Sequence, residues 1–368
     1  MSERVVIAGG GTGGHIYPGL AVARVLADRG YDVHWVGAVG GLEESIVTRA
    51  ELPLHLIRIG KLHHSVGLLA RLKTVLGMPL AFIQALRLVM RLKPVAVLGV
   101  GGFASGPFLF VAALLRIRTV IWEPNAHAGM ANRLLSRFVD ECLVVFEAAA
   151  DGMKGGRDGK SAYRVGLPVR ASMRPVRRSP SAGRSFRVLV FGGSQGARAI
   201  NKVVTDWVSS DLWTEGDIEL IHQTGRYDFE DTKVIYERLW IAGSRKTVEC
   251  HEYLHDMDAR YVWADLIICR AGASTVAEIA TCGKAAIFVP LPTAADNHQL
   301  KNAMVLGQAG AAVCIEQKDF TPDVLNSTIR RFQAEPSLLE SYERTVRQFA
   351  IDQAAETIAS HVIGKRVT

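Results

Sequence analysis

An imidazole set directly behind a glycine-rich turn is the first place in this chain where chemistry can be read from residue type and spacing. Gly9-Gly-Gly-Thr-Gly-Gly14 follows the aliphatic run Val5-Val-Ile-Ala8 and is followed at once by His15. Glycines let a ligand approach the backbone, and the helix that begins there turns N–H groups toward a negative charge. A histidine at the head of that helix is either a polar cap or, beside a bound anion, a general base whose neutral form is available near pH 7. The run also spells G-x-G-x-x-G, a dinucleotide fingerprint. That site needs an acid at the end of the second strand, where this chain has Val36-Gly37-Ala38, so a dehydrogenase does not follow.

A second glycine turn, Gly192-Gly-Ser-Gln-Gly196, follows Arg187-Val-Leu-Val-Phe191 and has the same form as the first. Each turn of this kind can present helix N-terminal N–H groups to a negative charge, so a cleft between two such domains suits a diphosphate. Arg270-Ala-Gly-Ala-Ser-Thr-Val-Ala-Glu278 also follows a strand-like run and opens a helix. Ser274, Thr275 and Glu278 there read equally as first-turn capping or as phosphate and ribose ligands. Asp296-Asn-His-Gln299 stands on a loop at the carboxyl edge of a strand, where open α/β sheets hold ligands. His251-Glu-Tyr-Leu-His255 matches the H-E-x-x-H zinc signature, which works only when one long helix carries both imidazoles on one face. Here a strand runs into the motif and a short helix begins near Asp256, so no metal site is expected.

The elements that must position these groups alternate regularly. Strand-like runs at 5–8, 33–36, 54–59, 95–100, 119–122, 141–145 and 163–166 are separated by helical stretches, and a second series lies at 186–191, 218–223, 247–250, 266–269, 285–289 and 312–315. Such alternation predicts βαβ units and parallel sheets covered on both faces. Between Asp151 and Arg187 the composition turns to Gly, Arg, Ser and Pro, which places an inter-domain linker there. The fold class is therefore α/β, with two Rossmann-like, doubly wound domains facing across a cleft. The first spans 1–168, with a terminal helix from about 345 to 368 packing back on it; the second spans 169–344.

A chain of 368 residues, 49% of them hydrophobic, can fill two cores. No apolar signal stretch precedes the first strand, which argues for the cytoplasm. Cys142, Cys250, Cys269, Cys282 and Cys314 are scattered through apolar runs and read as buried thiols. The net charge of +7 is unevenly spread: from Leu52 to Trp122 there is no Asp or Glu, while Arg87, Arg91 and Lys93 interleave with Leu80, Phe82, Ile83 and Leu86. Two readings stand open, a core helix with a basic solvated face and a surface that lies on anionic lipid. Nucleic acid fits less well because stacking aromatics are missing. Residues 95–115 are uncharged over a bilayer's length, but Gly99, Gly101, Gly102, Gly106 and Pro107 divide them into strand, loop and helix.

Taken together, GGGTGGHIYPGLAVA at 9–23, VLGVGGFASGP at 97–107, WEPNAHAGMANRLL at 122–135, VGLPVR at 165–170, FGGSQGA at 191–197, the 253–280 stretches and DNHQLKNA at 296–303 resemble the MurG-type N-acetylglucosaminyltransferases. The resemblance covers almost the whole chain. It implies an inverting, two-domain GT-B enzyme without a cofactor, which moves GlcNAc from UDP-GlcNAc to the C4 hydroxyl of undecaprenyl-diphospho-MurNAc-pentapeptide in peptidoglycan synthesis. It further implies a peripheral position on the cytoplasmic membrane face, contacts with other cell-wall synthesis proteins, and insertion through Leu80, Phe82, Ile83 and Leu86. By position, His15 is the base. Thr12, Gly13, Gly14 and Asn125 match donor or acceptor contacts, and Arg170 a donor contact. Ser194 and its neighbouring N–H groups would take the UDP phosphates, the Leu254 backbone the uracil, Ala273, Ser274, Thr275 and Glu278 the ribose and phosphates, and Gln299 the sugar hydroxyls.

Three residues depart from the family pattern: Trp122 and Pro124 stand where His and Gln are common, and Leu167 where Asn is. Rival functions are another lipid-directed UDP-sugar transferase such as a diacylglycerol glucosyltransferase, a UDP-GlcNAc 2-epimerase, a zinc protease and a nucleotide-binding module without turnover.

Overall fold

The computed structural model describes residues 2–59, 68–154, 156–157, 159, 162–176, 184–193, 195–213, 217–243 and 247–364, with side chains from 76 onward in the second of these segments. The chain divides into two compact units, Met1–Pro168 with Ile351–Thr368, and Val169–Ala350.

In the first unit strands and helices alternate: β1 (Arg4–Gly9), α1 (Gly13–Asp28), β2 (Asp32–Ala38), α2 (Glu43–Arg49), β3 (Leu54–Ile57), α3 (Leu68–Leu92), β4 (Ala96–Gly101), α4 (Ser105–Leu114), β5 (Arg118–Glu123), α5 (Met130–Leu135), β6 (Glu141–Val144) and β7 (Tyr163–Arg164). The strands form one parallel sheet in the order β3-β2-β1-β4-β5-β6-β7. A sheet covered on both faces needs apolar residues at every strand position, and Val5, Val6, Ile7 and Ala8 are all fully buried. The order reverses between β1 and β4, the switch point at which such sheets hold ligands. Both strands end there in glycine. Gly10 donates its N–H to the Gly101 carbonyl at 3.0 Å, and a Cβ on Gly9 would stand 2.1 Å from that oxygen.

Residues 95–115 are β4, a glycine turn and α4, and among the described residues no helix is long and apolar enough to cross a membrane. Helix α3 buries Ala81, Ala85, Val89 and Leu92 at helical spacing. Leu80, Ile83 and Leu86 point outward with Leu76 and Met90. Phe82 departs from the expected insertion patch. It lies on the flank of the buried stripe, half-buried against the core, with its ring edge-on to Phe110 at 5.7 Å.

The second unit repeats the plan with β8 (Phe186–Phe191), α6 (Arg198–Ser209), β9 (Ile218–Gln223), α7 (Phe229–Ile241), β10 (Val248–His251), α8 (Met257–Trp263), β11 (Leu266–Cys269), α9 (Ala273–Cys282), β12 (Ala285–Phe288), α10 (His298–Gln308), β13 (Val313–Cys314), α11 (Pro322–Ala334) and α12 (Pro336–Arg347). Its parallel sheet runs β10-β9-β8-β11-β12-β13. The core includes Val188, Val190, Ile200, Val204, Leu266 and Ile268, with Trp207 edge-on to Trp213 at 4.9 Å. The cysteines are buried or half-buried thiols, and burial pushes Cys250 up to about 12 and Cys282 up to about 11.

The chain rejoins the first unit at Ile351, so α12 stays with the second unit and only α13 (Ala354–Val362) returns. There Arg29 donates to the Ser360 hydroxyl at 2.9 Å, Arg118 to the Val362 carbonyl at 3.0 Å, and His361 Nδ1 meets Glu141 at 2.7 Å. Burial works against the Glu141 charge, but His361 and Arg118 outweigh it and hold this carboxyl below the usual range.

Candidate active site

In the first unit, α1 begins at Gly13 behind Thr12, whose backbone is extended. This brings Thr12, Gly13, Gly14 and His15 to the carboxyl end of β1. His15 Nδ1 lies 3.1 Å from the Gly10 carbonyl and 3.3 Å from Thr12 Oγ1. A carbonyl oxygen only accepts, so in the neutral ring Nδ1 carries the hydrogen and Nε2 is the atom that can take a proton. Gly101, at φ +96°, leaves room for the ring, because a Cβ there would stand 3.2 Å from Nε2.

Asn125 follows β5 at the same carboxyl edge. Its backbone and side-chain N–H groups donate to Glu123 Oε1 at 3.0 and 3.2 Å, while Gly129 N–H and Asn132 Nδ2 donate to Oε2 at 3.0 and 2.9 Å. Glu123 is thus a buried carboxylate that shapes the whole Asn125 turn. The departures at 122 and 167 lie in the interior: Trp122 is buried and donates its indole N–H to the Gly166 carbonyl at 3.2 Å, and Leu167 is buried.

The second unit contains a cavity of about 660 Å3 at its switch point, lined by Gly193, Arg198, Lys202, Arg270, Thr275 and Gln299 among others. Two helices start at its wall. Among the described residues no side chain caps α6 or α9, and the N-cap of α9 is Gly272. Ser274 and Thr275 therefore do not serve as caps, and the first-turn N–H groups of both helices are turned to whatever negative charge enters. The glycine turn at 192–196 is pressed on its neighbour: Gly196 has φ +79°, and a Cβ there would stand 1.8 Å from the Thr224 carbonyl. Ser194 lies outside the described residues. Asp296 and Asn297 take left-handed backbone, which turns the chain into α10 and sets Gln299 in its first turn. The amide oxygen of Gln299 accepts from Leu291 N–H at 3.0 Å.

Glu278 lies one turn beyond Thr275 on α9. It receives Arg170 Nη2 at 3.0 Å and the hydroxyl of buried Tyr261 at 3.2 Å. Burial opposes the Arg170 charge, but the Glu278 carboxylate outweighs it and raises the guanidinium's pKa. Leu254 buries its side chain, so only its backbone can meet a ligand. The H-E-x-x-H motif is split: His251 ends β10 and bonds Glu249 at 3.0 Å, while His255 stands in the loop against the Tyr253 ring. Of the expected donor residues, Thr275 and Gln299 line the cavity directly; Arg170, Glu278 and Leu254 do not.

Comparison with known proteins identifies the family. The glycosyltransferase family 28 N-terminal domain matches residues 5–144, and the family's C-terminal domain matches residues 187–358. This chain belongs to glycosyltransferase family 28. A Bdellovibrio bacteriovorus relative of this family 28 enzyme is 44% identical over 99% of both chains; its name is UDP-N-acetylglucosamine--N-acetylmuramyl-(pentapeptide) pyrophosphoryl-undecaprenol N-acetylglucosamine transferase. The crystal structure of Acinetobacter baumannii MurG matches with a TM-score of 0.81 at 32% identity, covering 98% of this chain and 99% of that one, and the fold is GT-B. A UDP-GlcNAc 2-epimerase from Neisseria meningitidis, crystallised with UDP-GlcNAc, matches with a TM-score of 0.65 at 10% identity over 99% of this chain and 100% of its own. That likeness is one of fold alone.

Several groups that shape the site of this family 28 transferase escaped sequence reasoning. Arg198 and Lys202 bring two cations to the cavity from the first turns of α6. Arg270 ties two crossovers together through the Val289 and Pro290 carbonyls at 3.0 and 3.1 Å and Gln317 at 2.8 Å, and burial lowers its pKa. Glu43 is a buried acid at the start of α2, bonded to the end of β2. The run Gly37, Gly40, Gly41 around it was the available signal, since glycines crowd where another side chain must approach backbone.

Proposed function

We propose that this glycosyltransferase moves GlcNAc from UDP-GlcNAc to the C4 hydroxyl of undecaprenyl-diphospho-MurNAc-pentapeptide, forming a β-1,4 bond with inversion in peptidoglycan synthesis. One observation carries the reading. Two helix N-termini that no described side chain caps meet a glycine turn in one cavity, in a chain related over its whole length to a transferase named for this reaction. In this reading the second unit holds the donor and the first takes the acceptor.

Three physical demands follow from the reaction. The acceptor hydroxyl must lose a proton, and His15 Nε2 is the group to take it, in its Nδ1–H tautomer. The anomeric centre becomes oxocarbenium-like, which the departing diphosphate's own charge helps to stabilise. Negative charge then grows on UDP, and the N-termini of α6 and α9 offset it without reorganising, while Arg198 and Lys202 at the same cavity are shared with Asp228 at 3.2 Å and Asp206 at 2.7 Å. Thr12, Gly13, Gly14 and Asn125 contribute contacts from the first unit. Arg170, Ser194, Leu254, Ala273, Ser274, Thr275, Glu278 and Gln299 hold the nucleotide sugar, with Glu278 exchanging its Arg170 and Tyr261 bonds for ribose hydroxyls.

A lipid-linked acceptor requires access to a membrane. Leu80, Ile83 and Leu86, extended by Leu76 and Met90, form an outward apolar stripe on α3 in a segment free of acids, which suits peripheral insertion into an anionic leaflet. The cytoplasmic leaflet and contacts with other cell-wall synthesis proteins belong to the same proposal. The test is incubation with UDP-GlcNAc and a short-chain analogue of the lipid acceptor. Release of UDP with formation of the β-1,4 disaccharide is expected. A folded, UDP-binding protein that transfers nothing to this acceptor, or that transfers only to diacylglycerol, contradicts the reading.

A further inference from the structure

The least expected charge in the first unit is Glu43. It opens α2, is 1% exposed, and among the described residues forms no ion pair. Its two carboxylate oxygens instead accept backbone N–H groups: Oε1 from Ala38, at the end of β2, at 2.8 Å, and Oε2 from Gly11, in the first glycine turn, at 2.9 Å. The surrounding backbone is stripped of side chains to admit it. A Cβ on Gly10, Gly37 or Gly41 would stand 2.4 Å from the Glu43 side chain. A buried carboxylate is costly unless its hydrogen bonds hold something, and here three glycines make room for it to hold one turn.

The atom it holds matters. Gly11 N–H and the Gly10 carbonyl are two ends of the same peptide unit, and in a trans peptide they point in opposite directions. One end is taken by Glu43 Oε2; the other faces His15 Nδ1 at 3.1 Å. The unit is oriented by Gly10 at φ +153° and Gly11 at φ +83°, and its N-terminal neighbour is fixed by the Gly10 N–H bond to Gly101 at 3.0 Å. The result is a relay from carboxylate through one peptide to imidazole. Hydrogen bonds in such a chain polarise one another, so a negative charge on the N–H side makes the carbonyl a stronger acceptor for Nδ1–H.

We propose that Glu43 is a positioning residue for His15, acting through the Gly10–Gly11 peptide to hold the imidazole in its Nδ1–H tautomer with Nε2 directed to chemistry. A carboxylate bonded directly to a catalytic histidine does the same elsewhere, and here a peptide is interposed. The inference rests on His15 acting as the base, as proposed above, but its structural half does not require turnover.

The test joins kinetics to nitrogen NMR of the histidine side chains in the full-length protein. Glu43→Gln keeps the shape, but an amide cannot accept from both N–H groups. The expected result is a kcat lower by about tenfold or more, a KM for UDP-GlcNAc within about twofold of wild type, and loss of the pure Nδ1–H signature of His15. Gly41→Ala presses on the carboxylate without removing it and should shift the tautomer in the same direction, which covers the case in which Glu43→Gln does not fold. An Nε2–H tautomer in the wild-type protein, or an unchanged His15 signature in either folded variant, overturns the proposal. If His15→Ala keeps the wild-type rate, the base assignment falls, and the tautomer measurement still decides whether Glu43 orients the ring.

Discussion

The two glycine turns are written almost alike, yet they are braced by different means. The turn at 9–14 is held by a charge: Glu43 accepts Gly11 N–H, and the far side of that peptide orients His15. The turn at 192–196 is held by neutral groups at the turn itself, with a carboxylate one step back: Asp228 accepts from Asn201 Nδ2 at 2.8 Å and pairs with Arg198 at 3.2 Å. Gly196 is pressed on Thr224, whose carbonyl accepts Asn201 Nδ2 at 2.8 Å, and the Asn201 side-chain oxygen lies 3.2 Å from His222 Nε2, whose Nδ1 meets Tyr236 at 2.9 Å. A carboxylate behind a turn suits proton transfer, since it favours a positive imidazolium in front. The same charge placed directly on a phosphate-binding turn would repel the ligand, and here Asp228 is set back behind Asn201 and offset by Arg198, which leaves the helix N-termini to act on the anion. In the proposed function, similar motifs divide into a turn for chemistry and a turn for anion binding, with a carboxylate bonded directly to the first and set back from the second.

The contrast can be broken at either turn, and the largest effect should come from the first. His15→Ala should lower kcat by about 100- to 10,000-fold while leaving UDP affinity within about twofold, as steady-state rates beside calorimetric titration with UDP would report. A matching loss of UDP affinity would erase the distinction between the turns. Gly196→Ala should do the reverse. Its left-handed backbone and the contact with Thr224 leave no place for a methyl group, so UDP affinity should fall by about tenfold or more and the unfolding midpoint should drop by the equivalent of about 1–3 kcal/mol.

The buried imidazole of this second brace predicts a pH signature. Burial depresses His222 to about 3, so as pH falls below about 6.5 the unfolded chain takes up a proton that the folded chain refuses. Stability from this group is complete above the unfolded pKa and is lost as pH falls toward the folded one, with a slope of at most about 1.4 kcal/mol per pH unit. Urea midpoints at pH 7 and pH 5 should separate, and His222→Gln should narrow the gap. The smallest effect belongs to the α3 stripe. Ile83→Glu should weaken sedimentation with anionic vesicles several-fold without changing UDP affinity, whereas Phe82→Leu, on a half-buried side chain, should act mainly on stability.

Much of this architecture was legible from residue order because parallel strands buried on both faces leave uninterrupted aliphatic runs. All the expected strands are present, and those at 186–191, 218–223 and 266–269 have the bounds anticipated for them. The glycine turns were legible for the same reason that they exist, since only glycine tolerates such close backbone approach. Two kinds of information were not. Glu43 and Glu123 act on backbone N–H groups through contacts that local pattern does not encode, and Glu43 reaches a turn 32 residues away. Phe82, expected in the insertion patch, is half-buried, because composition cannot say which flank of a helix meets the Phe110 ring. The capping alternative for Ser274 and Thr275 was likewise undecidable until Gly272 proved to be the N-cap.

The most direct test of the central claim is a crystal structure of the protein soaked with UDP. The account predicts the diphosphate at the 192–196 turn, between the starts of α6 and α9 beside Thr275 and Gln299, with ribose at Glu278 and the 9–14 turn free of nucleotide. Nucleotide seated on the 9–14 turn against His15, with the second cavity empty, would contradict it.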